Sequence, residues 1–162
     1  MADGPGPILQ ALYQGDEGRA RELASGTELD VFEAAALGDA GRLETLLADD
    51  PGLAGAWSPD GFTALHYAAF FGSAEAIRIL LGAGADLELP ARNEEFAAGA
   101  HPLHSAVAAG KTENAEALLE AGADPNSRQH GGFTPLMQAE QSGNLELAEL
   151  LIERGAVAGG GA

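Results

Sequence analysis

Glycine recurs in this chain at intervals that leave little choice of architecture. Gly72, Gly110 and Gly143 lie 38 and 33 residues apart, and Gly84, Gly122 and Gly155 repeat the same two intervals. Gly38 precedes Gly72 by 34 residues, just as Leu46-Leu47 precedes Leu80-Leu81. A period of this size means stacked supersecondary units, each too small to cover its own apolar face. Three segments carry the fullest pattern, beginning at Gly61-Phe62-Thr63, at His101-Pro102-Leu103 and at Gly132-Phe133-Thr134. Val31 to Gly38 is a fourth with degraded ends, and Leu9 to Leu23 is a shortened fifth.

Each unit reads as two short helices. Thr63 and Thr134 suit N-cap positions, where a hydroxyl accepts from a free helical amide. Pro102 and Pro135 fit the next position, where a missing amide costs nothing and the fixed φ helps. The first helix of the 61–86 unit presents Leu65, Ala68 and Ala69, small enough for neighbouring helices to approach. Gly72 is expected to end it in the left-handed conformation. The second helix places Ala76-Ile77 and Leu80-Leu81 at helical spacing. At the far end, Leu150 to Ile152 are expected to pack back on the preceding unit, with Glu146, Glu149, Glu153 and Arg154 in water. Gly159 to Ala162 reads as a frayed tail.

The starts Thr63-Ala64-Leu65-His66 and Thr134-Pro135-Leu136-Met137, the central glycines, and the endings Gly84-Ala85-Asp86 and Gly122-Ala123-Asp124 resemble the ankyrin-repeat family. The resemblance covers residues 29–157 well and 8–26 more weakly, and looks close to a bacterial-style subgroup with one lengthened loop. It implies an all-α solenoid of about four helix-turn-helix repeats behind a partial N-terminal capping pair. The expected division is a flexible 1–7, a capping pair at 8–28, repeats at 29–59, 60–97, 98–130 and 131–157, and a flexible 158–162.

Composition narrows the function classes. Eight basic residues against 25 acidic ones give a formal charge of −17, a field that repels phosphate backbones and anionic lipid. Nucleic acid and membrane are therefore not the expected partners, and a protein with a basic patch is. No apolar run reaches the roughly 20 residues of a membrane span, and the start lacks the features of a secretory signal. Absence of cysteine removes disulfides, thiolate metal sites and cysteine nucleophiles. The expectation is a cytoplasmic protein, monomeric by itself.

His66, His101 and His104 invite a metal reading, since histidines on adjacent helical turns can chelate zinc. Met137 holds the same repeat position as His66 and His104, which argues against a shared ligand set, and the family resemblance implies a structural hydrogen bond there. No serine, histidine and carboxylate stand in a recognisable nucleophilic arrangement, and the glycines of 82–84 follow a helix rather than precede one. The chain is thus expected to be no enzyme and to hold no cofactor or metal.

The resemblance implies binding through a concave face and loop tips. It places Phe62, Phe70 and Phe71 on that face or at its loop base, with Phe133 in the position equivalent to Phe62. Phe70-Phe71 is replaced by Ala36-Leu37, Ala108-Ala109 and Gln141-Ser142 in the other units, so the stack does not require it. The expected contacts are Trp57, Phe62, Phe70, Phe71, Arg92, Phe96, Gln129, His130 and Phe133. The alternative for the rings is packing between repeats. The connector Leu87 to Ala100, five residues longer than its successor, either extends the binding edge or folds back onto the stack. The expected function is protein–protein recognition; the alternative is a permanent scaffold or inhibitory subunit of an enzyme complex.

Overall fold

The computed structural model describes residues 4–95 and 97–158. Among them ten α-helices form five antiparallel pairs: α1 (Pro7–Tyr13) with α2 (Glu17–Ala24), α3 (Val31–Leu37) with α4 (Ala40–Asp49), α5 (Ala64–Phe70) with α6 (Ala74–Gly82), α7 (Pro102–Ala108) with α8 (Thr112–Glu120), and α9 (Pro135–Gln141) with α10 (Leu145–Glu153). The odd-numbered helices stack on one another as an inner layer, and α4, α6, α8 and α10 stack as an outer layer. The protein is an all-α repeat solenoid. The strand content of the described residues is a single antiparallel bridge between Trp57 and Thr63.

Local chemistry sets these boundaries. Thr63 accepts from the His66 amide and Thr134 from the Met137 amide. Asp30 and Glu33 form a reciprocal capping box on α3, so two otherwise orphaned amides are satisfied at once. Asp16, Asp39, Ser73 and Asn144 cap α2, α4, α6 and α10 through their side chains. Gly38, Gly110 and Gly143 all take positive φ near 70° after the inner helices, the conformation that glycine adopts without strain.

Gly72 departs from that expectation, because it is not among the positive-φ glycines. Its requirement is closeness. A Cβ there would stand 2.3 Å from the Ala35 carbonyl oxygen of the preceding unit and 2.9 Å from that of Ala68. The inner helices approach across Ala34, Ala35, Ala68, Ala69 and Ala106, all fully buried. In the outer layer Leu43, Ile77, Leu80, Leu118, Leu147 and Leu151 are fully buried between units.

The end of the stack corrects a second expectation. Leu151 is buried, but Ile152 is 56% exposed, because no further helix pair covers its side of α10 among the described residues. Asn126 ties this end down: its Nδ2 donates to the Gly155 carbonyl and its Oδ1 accepts from the Val157 amide. The expected tail at Gly159 to Ala162 lies outside the described residues.

The long connector folds back. The Ala91 amide donates to the Ala100 carbonyl and the Gly99 amide to that of Ala91, closing a hairpin. The Arg92 amide then donates to Gly61, and His130 of the next loop donates to Ala98. Gly61 and Gly99 permit these approaches, since a Cβ at either would fall 2.6 Å from Asn93 N or His130 Cδ2.

Replacing Gly72 with Ala is expected to cost about 3 kcal/mol, because the collision is with backbone that other packing holds in place. Gly82→Ala, at an open helical position, should instead be neutral or stabilising by about 0.5 kcal/mol. Urea unfolding of the two variants separates close approach from backbone freedom.

Candidate functional site

Two histidines set the spacing of the inner face. The Thr63 amide donates to Nδ1 of His66 at 3.2 Å, so the ring proton sits on Nε2, which donates to the Ala100 carbonyl of the next unit at 2.9 Å. His104 repeats the arrangement, accepting from the His101 amide at 3.1 Å and donating to the Phe133 carbonyl at 3.1 Å. Each neutral imidazole therefore joins its own helix start to the loop base one repeat further on. Burial pushes both down to about 4, with nearby His101 opposing their protonation further. His101 itself turns to Glu88, whose Oε2 lies 2.9 Å from Nδ1 and whose other oxygen accepts from the Asp124 amide. Among the described residues no histidine and carboxylate group is arranged to hold a metal ion.

A hollow of about 250 Å³ opens beside these histidines, where α5, α7 and α9 meet the long connector. Phe62, Phe70, Phe71, Tyr67 and Tyr13 form one end of its wall, and Ala97, Ala100, Ser105, Ala108, Gln129 and Gln138 form the rest. Phe70 and Phe71 meet edge to face at 4.6 Å, and Phe71 meets Tyr13 the same way at 5.4 Å, an arrangement that suits the ring quadrupoles.

The expected contact residues do not share one environment. Phe70 and Phe133 are exposed, at 37% and 38%, and Phe71 is half-buried against the core. Phe62 is a correction: at 7% exposure it is a core ring packed against Tyr67 and His66, although it contributes to the wall of the hollow. Trp57 is half-buried, and the Arg92 guanidinium lies over its ring at 4.0 Å, so these two residues engage each other. Gln129 is half-buried on the hollow's wall, while His130 is exposed on the loop. Phe96 lies outside the described residues.

Sequence reasoning missed Tyr13. It comes from the capping pair, is 40% exposed, and reaches across 47 residues to donate to Asp60 Oδ2 at 2.7 Å. Tyr67 and Ser58 donate to the other oxygen of the same carboxylate. Burial first, and the Asp60 carboxylate with it, raises both phenols well above the usual tyrosine range; the Tyr67 hydroxyl adds to the rise at Tyr13, whereas the Ser58 and Tyr13 hydroxyls oppose it at Tyr67. Two amides were missed as well. Asn114, buried at the start of α8, donates to the carbonyls of Ala68, Ala69 and Gly72, which closes the C-terminal end of α5 from the next unit. Gln138 Oε1 is buried in the wall of the hollow and meets no hydrogen-bond partner among the described residues. A polar residue where the two neighbouring units have Ala76 and Leu147 was the available signal for Asn114; nothing local marked Tyr13.

The inner face is also uncompensated in charge. All eight basic residues (Arg19, Arg21, Arg42, Arg78, Arg92, Lys111, Arg128 and Arg154) fall outside the five inner helices. Those helices carry Glu33 and Glu140 and no cation.

The family pattern described as Ankyrin repeats matches residues 8–129 and 92–159, in three copies. The chain belongs to the ankyrin-repeat family. Ankyrin repeats are general protein–protein interaction modules, and this array is one of them. Over 98 residues it is 41% identical to an Oryza sativa subsp. japonica protein named Probable E3 ubiquitin-protein ligase XBOS31. That match covers 60% of this chain but only 21% of the relative. Among the described residues no helix of the array is long and apolar enough to cross a membrane.

The buried histidines make the array acid-sensitive. Both are neutral in the fold, with values near 4 against 6.5 ordinarily. The unfolded chain therefore binds more protons between those limits, and stability that is full above pH 6.5 falls as pH drops toward 4. The expected loss by pH 5 is about 2 kcal/mol per histidine. Urea titrations at pH 7 and pH 5 measure it, and His104→Asn should remove a large part of the difference.

Proposed function

We propose that the array recognises a partner protein that carries a basic patch, using the inner face and the loop tips, and that it does so reversibly and without catalysis. The supporting observation is that exposed aromatic side chains stand beside inner helices that carry no cation. Phe70, Phe133 and Tyr13 are large apolar groups left at the surface, and such rings, clustered, are the usual anchors of interfaces. The net charge of −17 adds long-range attraction for a basic partner. The proposed contact set is Phe70, Phe71, Phe133, Gln129 and His130, with Trp57 and Arg92 contributing as a stacked pair. Phe62 supports the face from behind. The array by itself is proposed to be a monomer.

The likeness to part of a ligase is consistent with this reading, because the shared segment is repeat sequence. A permanent scaffold or inhibitory subunit is the second reading. The observation favouring it is the open end of the stack, where Leu145 and Ile152 are exposed, since permanent interfaces are richer in apolar surface.

Affinity capture from native extract, followed by binding measurements on the purified pair, tests the proposal. Phe70→Ala and Phe133→Ala are each expected to weaken binding by about 1–3 kcal/mol while leaving the melting midpoint nearly unchanged. Higher salt should slow association. Recovery only as an inseparable, salt-insensitive complex would favour the permanent subunit. Phe62→Ala should behave differently, losing about 3 kcal/mol of stability as a core truncation does; calorimetric melts of the three variants distinguish the classes.

A further inference from the structure

The hollow between α5, α7 and α9 opens beside a repeat position whose occupant changes from unit to unit. Phe70, Ala108 and Gln141 are equivalent by the 38- and 33-residue spacings. The middle unit has the smallest side chain of the three, and the space opens there, with Ala108 exposed beside it. Its volume of about 250 Å³ exceeds the roughly 150 Å³ that accommodates a benzene ring. One large aromatic or aliphatic side chain fits, together with part of its backbone. The wall is mostly apolar.

Charge decides what surrounds that side chain. No cation stands on any inner helix or in the hollow's wall, and two of the wall's rings, Tyr13 and Tyr67, hold the Asp60 carboxylate, so an anionic ligand such as a fatty acid or a phosphate ester finds no charge partner there. Resting on the reading of the array as a protein-recognition module, we propose that the hollow receives one bulky apolar side chain from an extended, basic segment of the partner. The lysines or arginines that flank it lie along the inner face.

Panning a random dodecapeptide display library against the intact chain at low ionic strength tests this, with the enriched peptides synthesised and titrated by calorimetry. Expected sequences share one Phe, Trp, Leu or Met flanked by basic residues. Ala108→Phe, a side chain the fold already carries at the equivalent Phe70, should fill the hollow and lower peptide affinity at least about tenfold. Phe70→Ala, which removes part of the hollow's aromatic wall, should weaken the same peptides several-fold while leaving the melting midpoint nearly unchanged. Enrichment of no peptide, enrichment of acidic or wholly polar ones, or affinity indifferent to both substitutions would overturn the proposal. The native partner separates the two levels. Capture that survives Ala108→Phe but fails with Phe133→Ala leaves protein recognition standing and removes the hollow from it.

Discussion

Between α3 and α5 the backbone of one unit comes so near the next that a methyl group at Gly72 would collide with the Ala35 carbonyl. The rest of the structure depends on that proximity. A two-helix unit of this length cannot be stable alone in water, and it becomes stable only when its neighbours cover both of its sides. Alanine along the inner helices allows the approach, and leucine and isoleucine fill the wider outer layer. Once the helices are this close, directional bonds reach from unit to unit. His66 and His104 each bind a carbonyl of the following repeat, and Asn114 binds carbonyls of the preceding one.

These cross-repeat bonds explain why the inner face can afford irregularity. With spacing held by buried histidines and alanines, the residue at the end of each inner helix is free to vary, and it does: Phe70, Ala108 and Gln141 differ in size and polarity at one geometric position. The variation produces an aromatic ridge beside a hollow, on a surface with no cation in its helices. Family membership supplies the general role of such a surface; the particular relief and charge supply its selectivity.

Much of the fold was legible because it rests on short-range rules applied several times over. Helix starts at Thr63 and Thr134, prolines at the first helical turn, and the inter-repeat leucines all stand where periodicity places them. Gly72 was legible as a required glycine but not for its reason, since its obstacle belongs to a residue 37 positions earlier. The surface was less readable. Phe62 and Phe133 share a repeat position, yet one is core and the other exposed, because Tyr67 and His66 close over Phe62 while no aromatic partner among the described residues closes over Phe133.

By itself the sequence determined the periodicity, the helix pairs, the direction of stacking and the acidic character, all properties of composition and of neighbours within one or two turns. Tertiary structure alone decided which rings are exposed and which are core, that Tyr13 crosses from the capping pair to Asp60, that the long connector folds back onto Gly61, and that a hollow opens beside Ala108. The physical reason is range. Burial and unpaired polar groups are set by what the next repeat brings within a few ångströms, and that contact lies tens of residues away along the chain.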